Sequence, residues 1–372
     1  MTKQSSFKRA VRERARATGQ RYTQARADLE LANRQEFVHS RPYEQATLKA
    51  HLEAHYGIRI DSILPIDDDP ATRPRDSWPG HYASTLVVKH TDGGRWIARV
   101  FSSSADRVSR VQGDAEILRF LALHDFPAER IADDDPVTVL DGKGIIVTRF
   151  IDGGRPSGGP ELWYELAGLL GRLHTLPPGD GAVARDGGAE ETDGGFHVGR
   201  PKEDLTAAMS FLVSVEDKVD DAAREKFDWL RDQVETADDA EGLPEALTHG
   251  NYHPWAAVGT PGDLAIVGWA GSGRGPRLPA LAWLLRTAAE RNGTANVAAV
   301  SRGYAEHVRL TDEELDRLPS ILNLRALWLE CLGFRMTVNS GGTPELNEGW
   351  LQPASHEHTE RLAAQAAEAL RP

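Results

Sequence analysis

The stretch that decides the fold reads His-Gly-Asn-Tyr-His-Pro-Trp-Ala at residues 249–256, and Gly268-Trp269 follows it after a short hairpin. Pro261-Gly262-Asp263 marks the turn of that hairpin, because proline, glycine and aspartate are typical turn residues. The apolar run 264–267 supplies its second strand. This part of the chain therefore predicts a histidine-rich loop that leads into a strand pair.

The elements on the N-terminal side of this loop alternate between strands and helices. Strands are predicted where β-branched residues flank a Gly-Gly turn, and helices where apolar residues recur at helical spacing. The predicted elements are helix 46–58, strands 85–89 and 96–101, helix 111–124, and strands 137–140 and 145–150. The order of the last five is strand pair, helix, strand pair.

Beyond a hinge at residues 151–154, the sequence predicts mainly helices. Thr311, with Glu314 three residues later, has the pattern of a capping box, which starts a helix. Residues 178–200 are rich in Gly, Asp and Glu, and we expect a mobile loop there. The predicted helices are 162–176, 202–216, 220–237, 281–290, 296–307, 311–335 and 358–370.

The histidine-rich loop resembles the catalytic segment of the aminoglycoside phosphotransferase and choline kinase family. The family pattern reads His-Gly-Asp-x-His-Pro-x-Asn, followed by a hairpin and Ile-Asp-Trp. The strand Trp96–Val100 and the helix segments 114–118 and 169–174 resemble further family motifs, in family order. The resemblance covers roughly residues 80–335. It implies an α+β, bilobal protein-kinase-like fold with an antiparallel N-lobe sheet and a mainly helical C-lobe.

The resemblance also implies roles for individual residues. Arg99 matches the base that contacts phosphate, and Glu116 matches the acid that pairs with that base. His249 and His253 match histidines that hold the loop by hydrogen bonds, and Asn251 stands where the family has its catalytic Asp. Arginine suits phosphate because its guanidinium offers a fork of donors. We therefore expect Arg99 and Glu116 to form the nucleotide-binding pair.

The chain departs from the family pattern at its acidic and metal-binding positions. Asn251 cannot accept a proton as a carboxylate does. The two positions that hold magnesium in the family are Ala256 and Gly268, and neither side chain offers the hard oxygen ligand that magnesium needs. Loss of a positioned base costs about 10²–10⁴ in rate. We therefore predict no metal site at these positions and no bound cofactor, with magnesium-independent ATP binding left open.

Three functions are compatible with this pattern. The first is a pseudokinase that acts as a binding or scaffold subunit of a biosynthetic or peptide-modification complex, with a protein or peptide partner. The second is an active phosphotransferase of a small-molecule or peptide hydroxyl with altered metal use. The third is a DNA-binding regulator that senses a small molecule. The first is the function we expect.

Composition limits the location and the partners. The chain has 372 residues, a net charge of −13 and one cysteine, Cys331, so it has no internal disulfide. No apolar run has the roughly 20 residues of a membrane helix, and we expect a bacterial cytoplasmic protein without a membrane partner. The first 34 residues carry nine Lys or Arg against three acids. Nucleic acid is therefore expected to bind only through residues 1–40.

The predicted domains are a basic helical arm at 1–45, an N-lobe at 46–150 and a C-lobe at 151–372.

Overall fold

The computed structural model describes residues 43–66, 84–103, 105–187, 200–344, 346 and 352–371. The basic helical arm predicted for residues 1–45 lies outside these ranges up to residue 42, so it stays a prediction. The boundaries of the two lobes also stay predictions. The elements described below are numbered in chain order within the described ranges.

The N-terminal part of the described chain is an antiparallel sheet with two helices, one before its first strand and one between its third and fourth strands. The sheet has five strands in the order β1-β2-β3-β5-β4. The elements are α1 (Gln45–Tyr56), β1 (Ile60–Pro65), β2 (Thr85–His90), β3 (Arg95–Ser103), α2 (Ala105–Leu123), β4 (Val137–Leu140) and β5 (Lys143–Arg149). The predicted hairpin and the two later strands are confirmed, and β1 is an addition that the sequence did not reveal.

The hairpin between β2 and β3 places Arg99 in the middle of the sheet. Its register pairs Val88 with Trp96 and Thr85 with Arg99, and on the other side Arg99 lies opposite Ile146 of β5. Gly93 adopts a φ of +92° in the turn, which glycine reaches without steric cost. Apolar residues of both strands are buried, so burial fixes the register and with it the position of Arg99.

The segment between α2 and β4 connects the sheet to the histidine-rich loop. Glu129 donates its backbone N–H to the carbonyl of Ile266 at 3.0 Å, and Ile266 donates to the carbonyl of Pro127 at 2.8 Å. Phe126 packs edge-on against Trp269, with ring centroids 5.7 Å apart. These contacts bring residue 129 next to the end of the loop that carries Gly268.

The C-terminal part is mainly helical and contains two short strand pairs. Strand β6 (Glu245–Thr248) pairs with β9 (Gly273–Pro276), and β7 (Ala257–Thr260) pairs with β8 (Asp263–Ile266), both antiparallel. The helices are α3 (Pro160–His174), α4 (Pro201–Val213), α5 (Asp221–Thr236), α6 (Leu278–Asn292), α7 (Thr294–Ala305), α8 (Asp312–Ile321), α9 (Leu324–Asn339) and α10 (His356–Leu370).

One prediction about this part was wrong in detail. The single helix predicted for 311–335 is two helices, α8 and α9, which are separated at Leu322 and Asn323. Pro319 lies inside the last turn of α8 and cannot donate a helical hydrogen bond, which weakens the helix there. The capping box at Thr311 is confirmed, because Thr311 and Glu314 form both of its hydrogen bonds.

The loop predicted to be mobile over 178–200 is anchored in its first part. Residues Gly181–Ala184 form a 3₁₀ turn in which Val183 is buried. Arg185 forms an ion pair with Asp114 of α2 and donates to the carbonyl of Ser272 at 3.0 Å. These bonds fix the chain between α2 and the segment after Gly268. Residues 188–199 lie outside the described ranges.

One apolar core runs through both parts of the described chain. It includes residues of α2, α3, α6 and α7 as well as the histidine-rich loop. A second cluster lies among α4, α5 and α9, and a third lies between α1 and the sheet. Within the described ranges, no helix combines the length and the apolar character that a membrane span requires.

Candidate functional site

His249 is completely buried and connects the histidine-rich loop to the segment that carries Val267 and Trp269. Its Nε2 donates to the carbonyl of Val267 at 3.0 Å, and its ring packs edge-on against Trp269 at 4.7 Å between centroids. Burial lowers the pKa of His249 to about 4, with a smaller opposing effect from the bond to Val267. The imidazole is therefore neutral near pH 7, and its role is structural.

His253 is also a structural residue. Its Nδ1 accepts the backbone N–H of Trp255 at 2.9 Å and so caps the short 3₁₀ turn Pro254–Ala256. The cap positions Ala256, whose methyl group is buried. The loop is therefore held in shape by both histidines, as the resemblance implies.

Asn251 makes its side-chain contact with a cation. Its Oδ1 accepts from Nη2 of Arg325 on α9 at 3.2 Å, and its backbone N–H donates to the carbonyl of His249 at 2.8 Å. The oxygen of Asn251 is thus occupied by a guanidinium, which leaves the Nδ2 group as the donor on the other side of the amide.

The positions of Ala256 and Gly268 provide no side-chain oxygen. Gly268 has a φ of +86°, and a Cβ added there would meet no atom within 4 Å. The predicted hairpin turn is present, and Asp263 is the exposed first residue of β8, opposite Thr260. Across the described part of the chain, no group of three or more His, Cys, Asp or Glu residues is arranged to hold a metal ion.

Arg99 pairs with Glu129, so the predicted pair with Glu116 was wrong. Nη1 of Arg99 lies 2.9 Å from Oε1 of Glu129, and the side chains are 15% and 3% exposed. Glu116 lies on the exposed side of α2, where its Oε2 accepts the backbone N–H of Ala182 at 3.2 Å. The buried acid of α2 in this region is Asp114, and it pairs with Arg185.

Glu129 connects three parts of the site. Its Oε1 also accepts the backbone N–H of Gly268 at 2.8 Å, and its Oε2 accepts the hydroxyl of Thr148 on β5 at 3.0 Å. The carboxylate therefore binds the strand that carries Arg99, the neighbouring strand and the end of the histidine-rich loop. A buried carboxylate with three donors is fully compensated, which fits its nearly complete burial.

Sequence reasoning missed Glu129 and Arg325. Glu129 lies in an irregular segment, and its partners are 30 and 139 residues away along the chain, so no local pattern reveals it. Arg325 carries a weak signal, because it is a charged residue close to the start of a mainly apolar helix, α9. Both residues were hidden because their contacts depend on the tertiary fold.

A cavity opens beside Asn251 on the side of the helices. It measures about 50 Å³ and lies between the loop at Gly250 and Tyr252 and the helices α4, α6, α8 and α9. Its walls are mostly apolar, and Arg325 is a buried charged residue in them. The volume is well below the range of about 300–1,000 Å³ that is typical of small-molecule sites.

Comparison with known proteins identifies the family. A model of the phosphotransferase enzyme family, APH, matches residues 79–318, which is more than half of the chain. The chain belongs to the APH phosphotransferase enzyme family. No curated protein sequence matches this family member.

Solved structures of APH-like enzymes resemble this APH family member in fold. Amicoumacin kinase hAmiN in complex with AMP-PNP and Ca²⁺ is 13% identical with a TM-score of 0.54, and the match covers 88% of this chain and 93% of the kinase. Choline kinase LicA from Streptococcus pneumoniae is 14% identical with a TM-score of 0.50, and the match covers 87% of this chain and 97% of that enzyme. The predicted kinase-like α+β fold is therefore confirmed.

Proposed function

We propose that this APH family member is a pseudokinase: it binds a ligand through the cleft of a phosphotransferase fold and does not transfer phosphate. The observation that carries the proposal is that positions 251, 256 and 268 carry no carboxylate, while the side-chain oxygen of Asn251 accepts from Arg325.

The charge balance of the cleft supports this proposal. Phosphoryl transfer from a nucleotide needs cations on the phosphates, bridging metal ions and an oriented nucleophile. Arg99 and Glu129 form a cation–acid pair, but no carboxylate stands at positions 251, 256 or 268 to hold the metal ions or to orient the nucleophile.

The side chains near Asn251 also argue against a bound metal ion. The side chains at positions 256 and 268 offer no oxygen ligand, and the oxygen of Asn251 accepts from Arg325. A guanidinium at this place would repel a magnesium ion. The residues present therefore do not fit a magnesium–nucleotide complex, and we derive no catalytic step through one.

The role of a binding subunit is proposed because the conformation of the histidine-rich loop is retained. His249 and His253 still hold the loop in its folded shape through their hydrogen bonds. We propose that the ligand or partner belongs to a biosynthetic or peptide-modification complex in the cytoplasm. A stoichiometric complex with another protein, purified from the native cells through a tag on this chain, is the expected result for that part of the proposal.

An assay of nucleotide turnover tests the proposal. The purified chain is incubated with ATP and magnesium, with and without a panel of hydroxyl acceptors, and ADP is measured. We expect no turnover above the rate of a heat-denatured sample. Turnover that disappears in Arg99→Ala would instead support an active phosphotransferase with altered metal use. Turnover that survives this substitution would indicate a contaminating enzyme, and repurification would remove it.

A further inference from the structure

A groove of about 680 Å³ runs along one face of α3. Its walls are the end of α7 and the turn between β7 and β8, at Pro261 and Gly262. None of its lining residues belongs to the histidine-rich loop, so it is separate from the candidate site described above. The volume lies within the range of about 300–1,000 Å³ that is typical of ligand sites.

The length of the groove suits a short extended peptide. The residues of α3 that line it run from Pro160 to Arg172. At a rise of 1.5 Å per residue, this stretch of helix is about 18 Å long. An extended chain rises about 3.3 Å per residue, so about five residues of an extended peptide would span the groove.

Two carboxylates form one end of the groove. Glu161 lies in the first turn of α3, and its side chain has no hydrogen bond or ion pair with any residue that the structure describes. Glu165 accepts the backbone N–H of Gly262 with Oε2 at 2.7 Å, which leaves Oε1 as a further acceptor. This end therefore favours a positive side chain, because charge-assisted hydrogen bonds are stronger than neutral ones.

An arginine and a histidine form the opposite end. Arg172 lies in the last turn of α3, and its Nη2 donates to the carbonyls of His124 and Asp125 at 3.2 and 2.9 Å. Nε and Nη1 have no hydrogen bond within the described part of the chain, so they are available donors. His307 lies beside this end, because a Cβ added at Gly171 would come within 3.1 Å of the His307 Cβ. This end therefore favours a carboxylate.

The middle of the groove has an aromatic ring and balanced charges. Tyr164 is 36% exposed, and its hydroxyl donates to Glu306, which follows α7. This hydrogen bond raises the pKa of Tyr164, and the nearby charge of Arg302 partly opposes the effect. One acid and one base therefore lie beside the ring. Leu169 adds an apolar side chain to the lining, so this part suits an apolar group.

We propose that this groove binds an extended peptide segment with a basic residue, an apolar residue and an acidic residue at every second position. Side chains two apart in an extended chain point to the same face, so all three would face the groove. The basic residue would lie at Glu161 and Glu165, the apolar one at Tyr164 and the acidic one at Arg172. The two charged residues are about 13 Å apart in such a chain, which matches the separation of the two ends within side-chain reach.

The separated charges of the groove are the reason for a peptide with both signs of charge. A peptide with one sign would be attracted at one end and repelled at the other. The inference rests on the proposed function, since it names the peptide class that a binding subunit would hold and the surface that would hold it.

Fluorescence anisotropy with the full chain tests this inference. The probe is the capped peptide acetyl-Lys-Ala-Leu-Ala-Glu-amide, which carries a neutral dye on a flexible linker. Three matched peptides have Lys at both ends, Glu at both ends, or the same five residues with Lys and Glu adjacent. We expect saturable binding of the probe at one site per chain, about fivefold tighter than each matched peptide. Equal affinity for all four peptides, or no saturable binding of the probe, would overturn the inference.

Charge reversal in the groove locates the binding site. Glu161→Lys removes no hydrogen bond within the described chain, and it should weaken binding of the probe about fivefold and remove its preference over the Glu–Glu peptide. His307→Glu reverses the tendency of the other end and should also weaken the probe. Asp221→Lys is the matched control, because Asp221 is an exposed acid in the first turn of α5, outside the groove. Thermal unfolding checks each fold, and His307→Glu carries the test if Glu161→Lys does not fold.

The results separate this inference from the proposed function. Turnover of ATP would refute the pseudokinase but would leave the binding of the peptide as measured. Failure of the probe to bind, in a chain that does not turn over ATP, would refute only the peptide groove. Unchanged affinity in both groove variants would show that the peptide binds elsewhere and would overturn the inference.

Discussion

The guanidinium of Arg99 and the backbone N–H of Gly268 share one oxygen, Oε1 of Glu129, at 2.9 and 2.8 Å. One buried acid therefore joins the middle of the sheet to the end of the histidine-rich loop. Glu129 provides this link from the irregular segment between α2 and β4.

The first prediction concerns this pair. Glu129→Met should lower the free energy of unfolding by about 3–5 kcal/mol, because it leaves the charge of Arg99 buried without its partner. The double variant Arg99→Met with Glu129→Met should recover much of that loss, since two apolar side chains need no compensation. Urea unfolding measures each variant, with Glu116→Gln as a control within about 1 kcal/mol of the parent. Additive losses in the double variant would contradict a coupled pair.

The second prediction concerns acid stability. Burial lowers the pKa of His249 to about 4 and that of His174 to about 3, from an ordinary value of 6.5. Both groups are neutral in the folded chain but take up protons when the chain unfolds below pH 6.5. The unfolded state then binds more protons, so stability is complete above pH 6.5 and falls as the pH drops toward 4.

Urea unfolding at pH 7, 6 and 5 measures this loss of stability. Each of the two buried histidines contributes at most about 1.4 kcal/mol per pH unit below its unfolded pKa. His174→Gln should reduce the slope, whereas His356→Gln, at an exposed position near the start of α10, should leave it unchanged. An equal slope in the parent chain and in His174→Gln would contradict the assignment.

The third prediction concerns the backbone at Gly268. A side chain there has room but must adopt a φ of +86°, so Gly268→Ala should cost about 1–3 kcal/mol of stability. Gly154→Ala is the matched control, because a Cβ at Gly154 also meets no atom within 4 Å and its φ lies outside the positive range. Thermal unfolding of the two variants compares them. Equal stability would mean that the loop accepts a side chain at 268 without strain.

The fourth prediction concerns the second apolar cluster. Lys226 of α5 and Glu330 of α9 form an ion pair at 2.5 Å, with both side chains 2% exposed. Lys226→Met alone should destabilise the chain by about 3–5 kcal/mol, while Lys226→Met combined with Glu330→Leu should be close to neutral. Denaturant unfolding tests both variants. A double variant as unstable as the single one would mean that the pair contributes more than its desolvation costs.

The sequence predicted the order of the elements well because apolar spacing and turn residues are local signals. The hairpin of β2 and β3 and the helices of the C-terminal part follow from such patterns. The catalytic-loop motif placed His249, His253 and Asn251 together, and the structure adds Val267, Trp255 and Arg325 as their partners.

Long-range pairing could not be predicted in the same way. The sequence offered Glu116 as the partner of Arg99 because its position on a helix fits the family pattern, but that side chain faces outward on α2. Which face of a helix meets a sheet depends on the packing of the whole core. Glu129 reaches Arg99 because the segment after α2 pairs with β8 through Ile266, a contact without a local sequence signal.

Calorimetric titration of the purified chain with ATP, with and without magnesium, tests the central claim most directly. The claim is that positions 251, 256 and 268, which carry no carboxylate, hold no metal ion. It predicts no magnesium-dependent binding: the two titrations should be the same, with thermal unfolding confirming a folded sample. Micromolar binding of ATP that requires magnesium would contradict the claim and would point to an active phosphotransferase.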